Sequence, residues 1–165
     1  MPAYGAPIGG GYGAAPGQLA EWPQRAVAYL IDAAIIFVAF IAVIIVAAIL
    51  GAISSTLGVL FGLVGYLAVF VAAFYFAYLN GAKGQSPGKA LTGLKVVGED
   101  TGQVIGGGMG IVRQIAHFVD SLICYIGWLF PLWDPKKQTI ADKLMHTVVV
   151  TGAPRQSFGP DLFKA

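Results

Sequence analysis

The sequence predicts an all-α integral membrane protein with two transmembrane helices, a third transmembrane or re-entrant helical segment, and a small cytoplasmic two-strand element. Two observations lead to this fold class. Of the 165 residues, 57% are hydrophobic and only 11% are charged, whereas soluble domains carry about 25% charged residues. In addition, residues 33–82 contain no charge. Because one membrane crossing needs about 20 apolar helical residues, this stretch is long enough for two crossings and a short turn.

Composition also excludes several classes of protein. The net charge of +2 is too small for a nucleic-acid binder, which needs a basic patch. The apolar content excludes a disordered chain, and the single cysteine, Cys124, excludes an internal disulfide. His117 and His146 are isolated in the sequence, so neither a nucleophile–base pair nor a cluster of metal ligands is visible. We therefore expect no enzymatic activity, no cofactor and no metal.

The chain divides into three regions. Residues 1–20 are rich in Gly, Pro, Ala and Tyr and carry no charge. They predict a flexible leader rather than a signal peptide, because a signal peptide needs a basic start and a continuous apolar core. Residues 21–151 form the predicted membrane domain, and residues 152–165 form a polar tail.

The two predicted spans lie in the uncharged stretch. The first covers residues 26–51 and follows Pro23, which suits the first turn of a helix. The second covers residues 57–79 and ends at Asn80-Gly81, a pair typical of helix ends. The turn between them covers residues 51–58, which contain neither Lys nor Arg.

Small residues in the second span predict close helix packing, since lipid offers helices no hydrophobic drive to associate. We assign this role to Gly58, Gly62 and Gly65. Packing inside the monomer is the favoured interpretation, and homodimerisation is the alternative. Partners of the chain are therefore expected to be the lipid bilayer and either a second copy of the chain or another membrane protein.

The basic residues predict the orientation. Four of them follow the second span: Lys83, Lys89, Lys95 and Arg113. By the positive-inside rule, residues 81–113 face the cytoplasm, the turn faces outward, and the N-terminus is cytoplasmic. We expect a multi-pass membrane protein.

Residues 84–97 predict a small folded unit on the cytoplasmic side. Ser86 and Pro87 suit an N-cap and a first helical turn. A short helix to Thr92, closed by Gly93, should follow, with a strand at residues 94–97. The sequence around Gly88-Lys89 lacks the upstream glycine and the following Ser or Thr of a phosphate-binding loop, so we exclude that function.

A third apolar segment, residues 111–133, follows a glycine-rich hinge at residues 102–110 and has two possible paths. A full crossing would place the later basic residues outside, against the charge rule. A re-entrant hairpin bent near residues 124–127 would return them to the cytoplasm. It would also let residues 147–150 form a strand against residues 94–97, and neither strand is stable alone. We favour the re-entrant path.

Two stretches of eight residues resemble each other: Arg25-x6-Asp32 and Arg113-x6-Asp120. Seven residues make two helical turns, so the arginine and the aspartate of each stretch share one helix face, about 10 Å apart. The arginines can reach the headgroup layer. The aspartates cannot, and each needs a partner, a proton or water.

These residues permit two kinds of site. If Asp32 and Asp120 converge, they hold one proton or a monovalent cation between them. If the segments run antiparallel, Arg25 meets Asp120 and Arg113 meets Asp32 in structural salt bridges, and we favour such clamps. His117 either relays a proton or hydrogen-bonds a neighbour.

One further acid belongs to these candidates. Asp142 follows Thr139 in a near capping box and is interpreted as a helix N-terminal acid. Alternatively, Asp142 pairs with Arg25 or Arg113, and it is therefore a secondary candidate for the same site.

Taken together, these motifs resemble the RDD family of small bacterial membrane proteins, named for one arginine and two aspartates. The resemblance covers about residues 22–151. It rests on Arg25-x6-Asp32, Gly84-Gln-Ser-Pro-Gly-Lys89, Gly93-Leu-Lys-Val-Val97, Arg113-x6-Asp120, Gln138-x3-Asp142 and Thr147-Val-Val-Val150. It implies Arg25 and Asp32 as signature residues, with Asp120 or Asp142 as the second aspartate.

The resemblance also implies a choice of functions. One is transport of a small ligand or Na⁺/H⁺ exchange by an oligomer, because a chain with two or three spans leaves little room for an enclosed path. The alternative is a non-enzymatic membrane scaffold or accessory subunit in which the Arg–Asp pairs are structural clamps.

Overall fold

The computed structural model describes residues 17–165 and is built on a hairpin of two long helices. Helix α1 (Trp22–Ile53) and helix α2 (Ser55–Ala82) are both long and apolar enough to cross a membrane. They are joined at Ser54, whose backbone is extended. The turn predicted over residues 51–58 is therefore wrong. The reason is close backbone packing, because a Cβ at Gly58 would lie 2.6 Å from the Cα of Gly51.

Shorter elements follow at the end of the hairpin where α1 begins and α2 ends, which we call the base. They are α3 (Pro87–Thr92), β1 (Lys95–Gly98), α4 (Gly107–Leu122), α5 (Ile126–Leu129), a 3₁₀ turn (Phe130–Leu132), α6 (Ile140–Leu144), β2 (Thr147–Val150) and a last 3₁₀ turn (Pro160–Phe163). The helix predicted after Ser86 is confirmed, as is its closure by Gly93 with a φ of +74°. The pairing of the two strands is also confirmed: β1 and β2 are antiparallel, with Val96 opposite Val149. We call α3, β1, α6 and β2 together the cap.

Helix α2 continues through its predicted end at Asn80-Gly81. Asn80 Oδ1 accepts a hydrogen bond from the backbone N–H of Ser86 at 3.1 Å. A Cβ at Gly81 would lie 2.0 Å from the carbonyl oxygen of Gly106, directly before α4. Both residues therefore serve close packing at the base rather than helix termination. The predicted glycine hinge also ends early, because α4 already begins at Gly107.

The third apolar segment is sharply bent. Helices α4 and α5 meet at 107°, and Cys124 and Tyr125 at the bend have φ values of 50° and 62°. Before the bend, Gly110 packs on the last turns of α2. After it, the carbonyl of Trp128 accepts a hydrogen bond from Nε1 of Trp22 at 2.9 Å. The segment therefore starts and finishes at the base of the hairpin, which is the geometry that the re-entrant path requires.

Helix α4 reverses the pattern of a helix in a soluble protein. Its inward face carries buried polar side chains: Arg113, His117 and Asp120. Its outward face carries exposed apolar ones: Val112, Ile115, Phe118 and Leu122. A helix at the surface of a soluble domain turns its apolar stripe to the core and its charges to water.

Both ends of the described chain pack on the base. Predicted leader residues 1–16 lie outside the described residues, but the N–H of Ala20 donates to the carbonyl of Val149 at 2.8 Å, beside β2. At the other end, Leu162 is fully buried. The ring centroid of Phe163 lies 6.0 Å from that of Phe76 on α2.

Candidate functional site

A buried acid at the base binds two arginines from different helices. Asp142 is fully buried. Its Oδ2 accepts from Arg25 at 2.5 Å, and its Oδ1 accepts from Nε of Arg113 at 2.9 Å. The hydroxyl of Thr147 and the backbone N–H of Thr139 donate to the same carboxylate at 3.1 and 3.2 Å. We call Arg25, Asp142 and Arg113 the ion triad, and it connects α1, α6 and α4.

The electrostatics of the triad keep its acid charged. Burial raises the pKa of Asp142, but the guanidiniums of Arg113 and Arg25 outweigh burial and hold that pKa well below its usual range. Because a buried charge that loses its partner is strongly destabilising, each member depends on the others. The capping box predicted at Thr139 and Asp142 is present as well, so one carboxylate both begins α6 and binds the arginines.

Asp32 caps the other short helix. Its carboxylate accepts hydrogen bonds from Oγ of Ser86 at 2.6 Å and from the backbone N–H of Gly88 at 2.7 Å. These donors are the N-cap residue and the second residue of α3. Arg113, which the antiparallel alternative pairs with Asp32, instead binds Asp142.

Asp120 has the equivalent role at α6. Its Oδ1 accepts from the backbone N–H groups of Ile140 and Ala141 at 2.9 and 3.3 Å. Its Oδ2 lies 2.7 Å from Nδ1 of His117, and the imidazole stacks on Trp128 with ring centroids 4.5 Å apart. Arg25, which the antiparallel alternative pairs with Asp120, instead binds Asp142.

A cavity of about 900 Å³ opens between the hairpin and α4. Its polar end is lined by Arg25, Asp32, Lys89, Arg113 and His117, and its apolar end by Ile36, Phe37, Phe40, Tyr66, Val69 and Phe70. The polar end lies beside the ion triad at the base, and the apolar end extends between α1 and α2 toward the middle of the hairpin. The cavity can therefore hold a molecule with one charged and one apolar end.

The three glycines assigned to helix packing all face α1. A Cβ at Gly65 would lie 2.5 Å from a methyl group of Val43, and one at Gly62 would lie 3.6 Å from Cβ of Ala47. Together with the Gly58 contact, these distances place the glycines inside the hairpin.

Two residues have larger roles in the structure than their sequence context indicates. Asp142 was a secondary candidate, although it stands at the third helical position after Thr139 and thus in a place where an acid is expected. In the sequence, Lys89 is one of the basic residues that predict the orientation, and it stands in the excluded phosphate-loop pattern. It occupies the third position of α3, as Asp142 does in α6. This correspondence was visible in the sequence as an N-cap hydroxyl residue followed by a short helix and a Val-rich strand.

Comparison with known proteins adds a family and two longer relatives. The sequence profile of the RDD family matches residues 19–146. A protein named "Proline-rich antigen homolog" from Mycobacterium tuberculosis is 55% identical over 87 residues, which are 53% of this chain and 35% of the relative. "Proline-rich antigen" from Mycobacterium leprae is 60% identical over 73 residues, or 44% of this chain and 29% of the relative. The chain spans about a third of the length of these relatives. No solved structure matches it.

Proposed function

The chain belongs to the RDD family, and we propose that it is a membrane-embedded, non-enzymatic scaffold whose ion triad fastens the cap to a transmembrane hairpin and whose cavity binds a ligand. The observation that carries this proposal is the engagement of the acids. Asp32, Asp120 and Asp142 each accept at least two hydrogen bonds from donors within the chain. Such acids hold helices together.

Insertion into a bilayer is supported by the distribution of side chains. Residues 33–53 of α1 and 55–79 of α2 carry no charge, and many of their large apolar side chains are exposed. The reversed pattern of α4 extends this apolar surface beside the hairpin. Lipid is the environment in which these faces are stable, since exposed apolar patches of this extent are rare on soluble monomers.

The orientation is supported by the positions of the basic residues. All ten Lys and Arg residues lie outside residues 33–82, the uncharged stretch that includes the tip of the hairpin at Ser54. Because the third apolar segment bends back to the base, the lysines that follow it lie on the same side as those that precede it. The positive-inside rule then places the base, with the N-terminus of α1, in the cytoplasm of a bacterial inner membrane.

Ion exchange is the competing function. It needs Asp32 and Asp120 as ligands for a proton or a monovalent cation, rather than as caps of the short helices. Both carboxylates already receive backbone N–H donors, which supply the stabilisation that a cation would supply. The pair formed by His117 and Asp120 beside the cavity is the feature that favours proton movement. We therefore treat exchange as the outcome that would overturn the scaffold proposal.

The decisive experiment compares flux with stability. The full chain and its Asp32→Asn and Asp120→Asn variants are reconstituted in liposomes, and Na⁺-driven pH change is recorded beside thermal unfolding in detergent. The scaffold proposal expects no flux above that of empty liposomes in the wild type and lower unfolding temperatures in both variants. Asp161→Asn, at an exposed acid, is the matched control and should unfold like the wild type. Flux in the wild type that disappears in well-folded variants would show an exchanger.

The topology has its own test, because Cys124 is the only cysteine. Intact cells are treated with a membrane-impermeant maleimide. A Ser54→Cys variant that also carries Cys124→Ser should react, since Ser54 is at the hairpin tip. Cys124 in the wild type should not react from outside. Labelling of Cys124 in intact cells would mean that the third segment crosses the membrane.

A further inference from the structure

We propose that the cavity binds a lipid with an anionic phosphate headgroup, which contacts Lys89 while an acyl chain lies between α1 and α2. The inference rests on the proposed function, because only a membrane-embedded chain has acyl chains next to the apolar end of this cavity. It adds a ligand class and an anchoring residue to that function.

The charge balance at the polar end favours an anion. Arg25 and Arg113 share the carboxylate of Asp142, and Asp32 is engaged by Ser86 and Gly88. Within residues 17–165, the Lys89 ammonium forms neither a hydrogen bond nor an ion pair, although it lines the cavity.

The groups around Lys89 do not balance its charge. Two carboxylates, of Asp32 and Asp142, and two guanidiniums, of Arg113 and Arg25, act on the ammonium. The formal charges of these four groups cancel, and Asp120, a further acid of the base, is engaged by the backbone of α6 and by His117. Burial lowers the pKa of Lys89 to about 8, with the Asp32 carboxylate opposing the shift. An anion in the cavity would stabilise the charged ammonium, and lysine is a common phosphate ligand.

The apolar end selects a lipid over a free anion. Beyond Lys89 the cavity wall becomes aliphatic and aromatic as far as Phe40 and Tyr66, whose ring centroids lie 6.4 Å apart. A free phosphate would leave this part of the cavity unfilled. At about 900 Å³, the cavity lies in the upper part of the range of about 300–1,000 Å³ for ligand sites. A headgroup with an acyl chain satisfies both ends.

The depth of the polar end also suits a headgroup. Trp22, Tyr29 and Trp128 line the cavity beside its charged residues. Tryptophan and tyrosine are enriched where the hydrocarbon region meets the headgroup layer. Lys89 therefore lies at the level of lipid phosphates, and the uncharged parts of α1 and α2 lie at the level of their chains.

The tryptophans provide the readout for the test. The purified full chain in a neutral detergent is titrated with phosphatidylglycerol or phosphatidylcholine brominated on the acyl carbons nearest the headgroup. A bound brominated chain quenches Trp22 and Trp128. We expect phosphatidylglycerol to bind at least about tenfold more tightly than phosphatidylcholine. Lys89→Gln should weaken phosphatidylglycerol binding by about 10- to 100-fold, as expected for loss of a hydrogen bond to a charged group.

Three variants control this result. Lys164→Gln removes the same charge at an exposed residue and should bind like the wild type, and Lys89→Arg should retain most of the affinity. Ala73→Phe narrows the cavity without changing a charge and should weaken binding of both lipids. Equal quenching by the two lipids, or unchanged affinity in folded Lys89→Gln, would overturn the proposal.

A competition experiment distinguishes binding of a lipid from binding of a free anion. Millimolar inorganic phosphate should leave the quenching by brominated phosphatidylglycerol unchanged, and displacement would mean that the site takes a soluble anion. Failure of this proposal is distinguishable from failure of the scaffold function. The lipid titration reports on Lys89 and the cavity, whereas flux and unfolding of the aspartate variants report on the clamps.

Discussion

The two short helices of the cap, α3 and α6, are built alike, but one position in each carries a charge of opposite sign. Each begins at a hydroxyl residue, Ser86 in α3 and Thr139 in α6. Each has its first N–H groups bonded by an aspartate that lies seven residues after an arginine on a preceding helix. Each is followed by a residue with positive φ, Gly93 or His146, and then by a strand.

The strands extend this likeness to an approximate two-fold arrangement. Val96 and Val149 each lie three residues after the positive-φ residue, and they are opposite each other in the antiparallel pair. The likeness defines two halves of the chain, one from α1 to β1 and the other from α4 to β2. They differ in the segment inserted between the capping aspartate and the N-cap residue of the short helix. In the first half the insertion contains most of the α1–α2 hairpin, and in the second only α5 and a 3₁₀ turn.

The difference that matters for chemistry is at the third helical position, which is Lys89 in α3 and Asp142 in α6. One half thus supplies the acid for both arginines, and the other adds a cation beside them. A symmetric pair of acids would balance the arginines one to one. The observed asymmetry concentrates all pairing on Asp142 and leaves Lys89 at the cavity.

Removing the acid of the second half should have the largest effect. Asp142→Asn leaves two arginines without a counter-charge, and breaking a buried ion pair costs about 3–5 kcal/mol. We expect the free energy of unfolding in detergent to fall by that amount, as measured by chemical denaturation followed by circular dichroism. Asp161→Asn should change it by less than about 0.5 kcal/mol. An Asp142→Asn variant as stable as the wild type would show that the triad does not hold the cap.

The same acid should give the chain an acid-sensitive stability. The pKa of Asp142 in the folded chain is well below its usual range, so the unfolded chain binds the proton first as pH falls. Stability from this group is complete above about pH 5 and is lost as pH falls through the ordinary value of about 3.9 toward the folded pKa. The loss, followed by unfolding at stepped pH, should be smaller in Asp142→Asn.

The two capping aspartates should rank next. Asp120 is fully buried and accepts two backbone N–H groups, whereas Asp32 is half-buried and accepts one. We expect Asp120→Asn to lower the free energy of unfolding by about 2 kcal/mol and Asp32→Asn by about 1 kcal/mol. Equal losses would mean that burial does not distinguish the halves. The measurement is again chemical denaturation in detergent.

Local signals were sufficient to predict the cap. Ser86-Pro87 and Thr139 mark helix starts, Gly93 marks a helix end, and two Val-rich stretches mark strands. Each of these is set by its own backbone chemistry, so no distant contact was needed. The bend in the third segment was predicted for a different reason, since only a return of the chain keeps the basic residues on one side.

The partners of the arginines could not be predicted from spacing. Arg25 and Asp142 are far apart in sequence and meet only because α6 returns to the base after the bend. The eight-residue resemblance suggested pairing between the two stretches, but each aspartate caps a helix instead. The hairpin turn was misplaced for a similar reason. Close packing of Gly51 on Gly58 lets both helices continue to Ser54, and glycine in a loop-like sequence does not reveal such packing.

Substituting the positive-φ residues that follow the two cap helices, Gly93 and His146, should give opposite effects. Gly93→Ala places a Cβ where φ is +74° and 3.0 Å from a side-chain carbon of Arg155, which should cost about 1–2 kcal/mol. His146→Gly relieves a left-handed residue that is exposed. It should gain about 0.5 kcal/mol after the added entropy of the unfolded chain. Denaturation midpoints shifting in the same direction would mean that backbone strain does not set these positions.

Lys89 should also make stability depend on pH, in the alkaline range rather than the acidic one, because burial disfavours the charged form of Lys89 whereas the arginines favour the charged form of Asp142. The pKa of Lys89 is about 8 in the folded chain and about 10.4 in the unfolded chain. Between these values the unfolded chain binds more protons, so the free energy of unfolding should rise as pH increases from about 8 to 10.4. Lys89→Gln should lose this rise in lipid-free detergent, and Lys164→Gln should keep it. Saturation with phosphatidylglycerol should also reduce the rise in the wild type, because a bound phosphate stabilises the charged ammonium. A rise that persists in Lys89→Gln would assign it to another group and remove the electrostatic contrast between the halves.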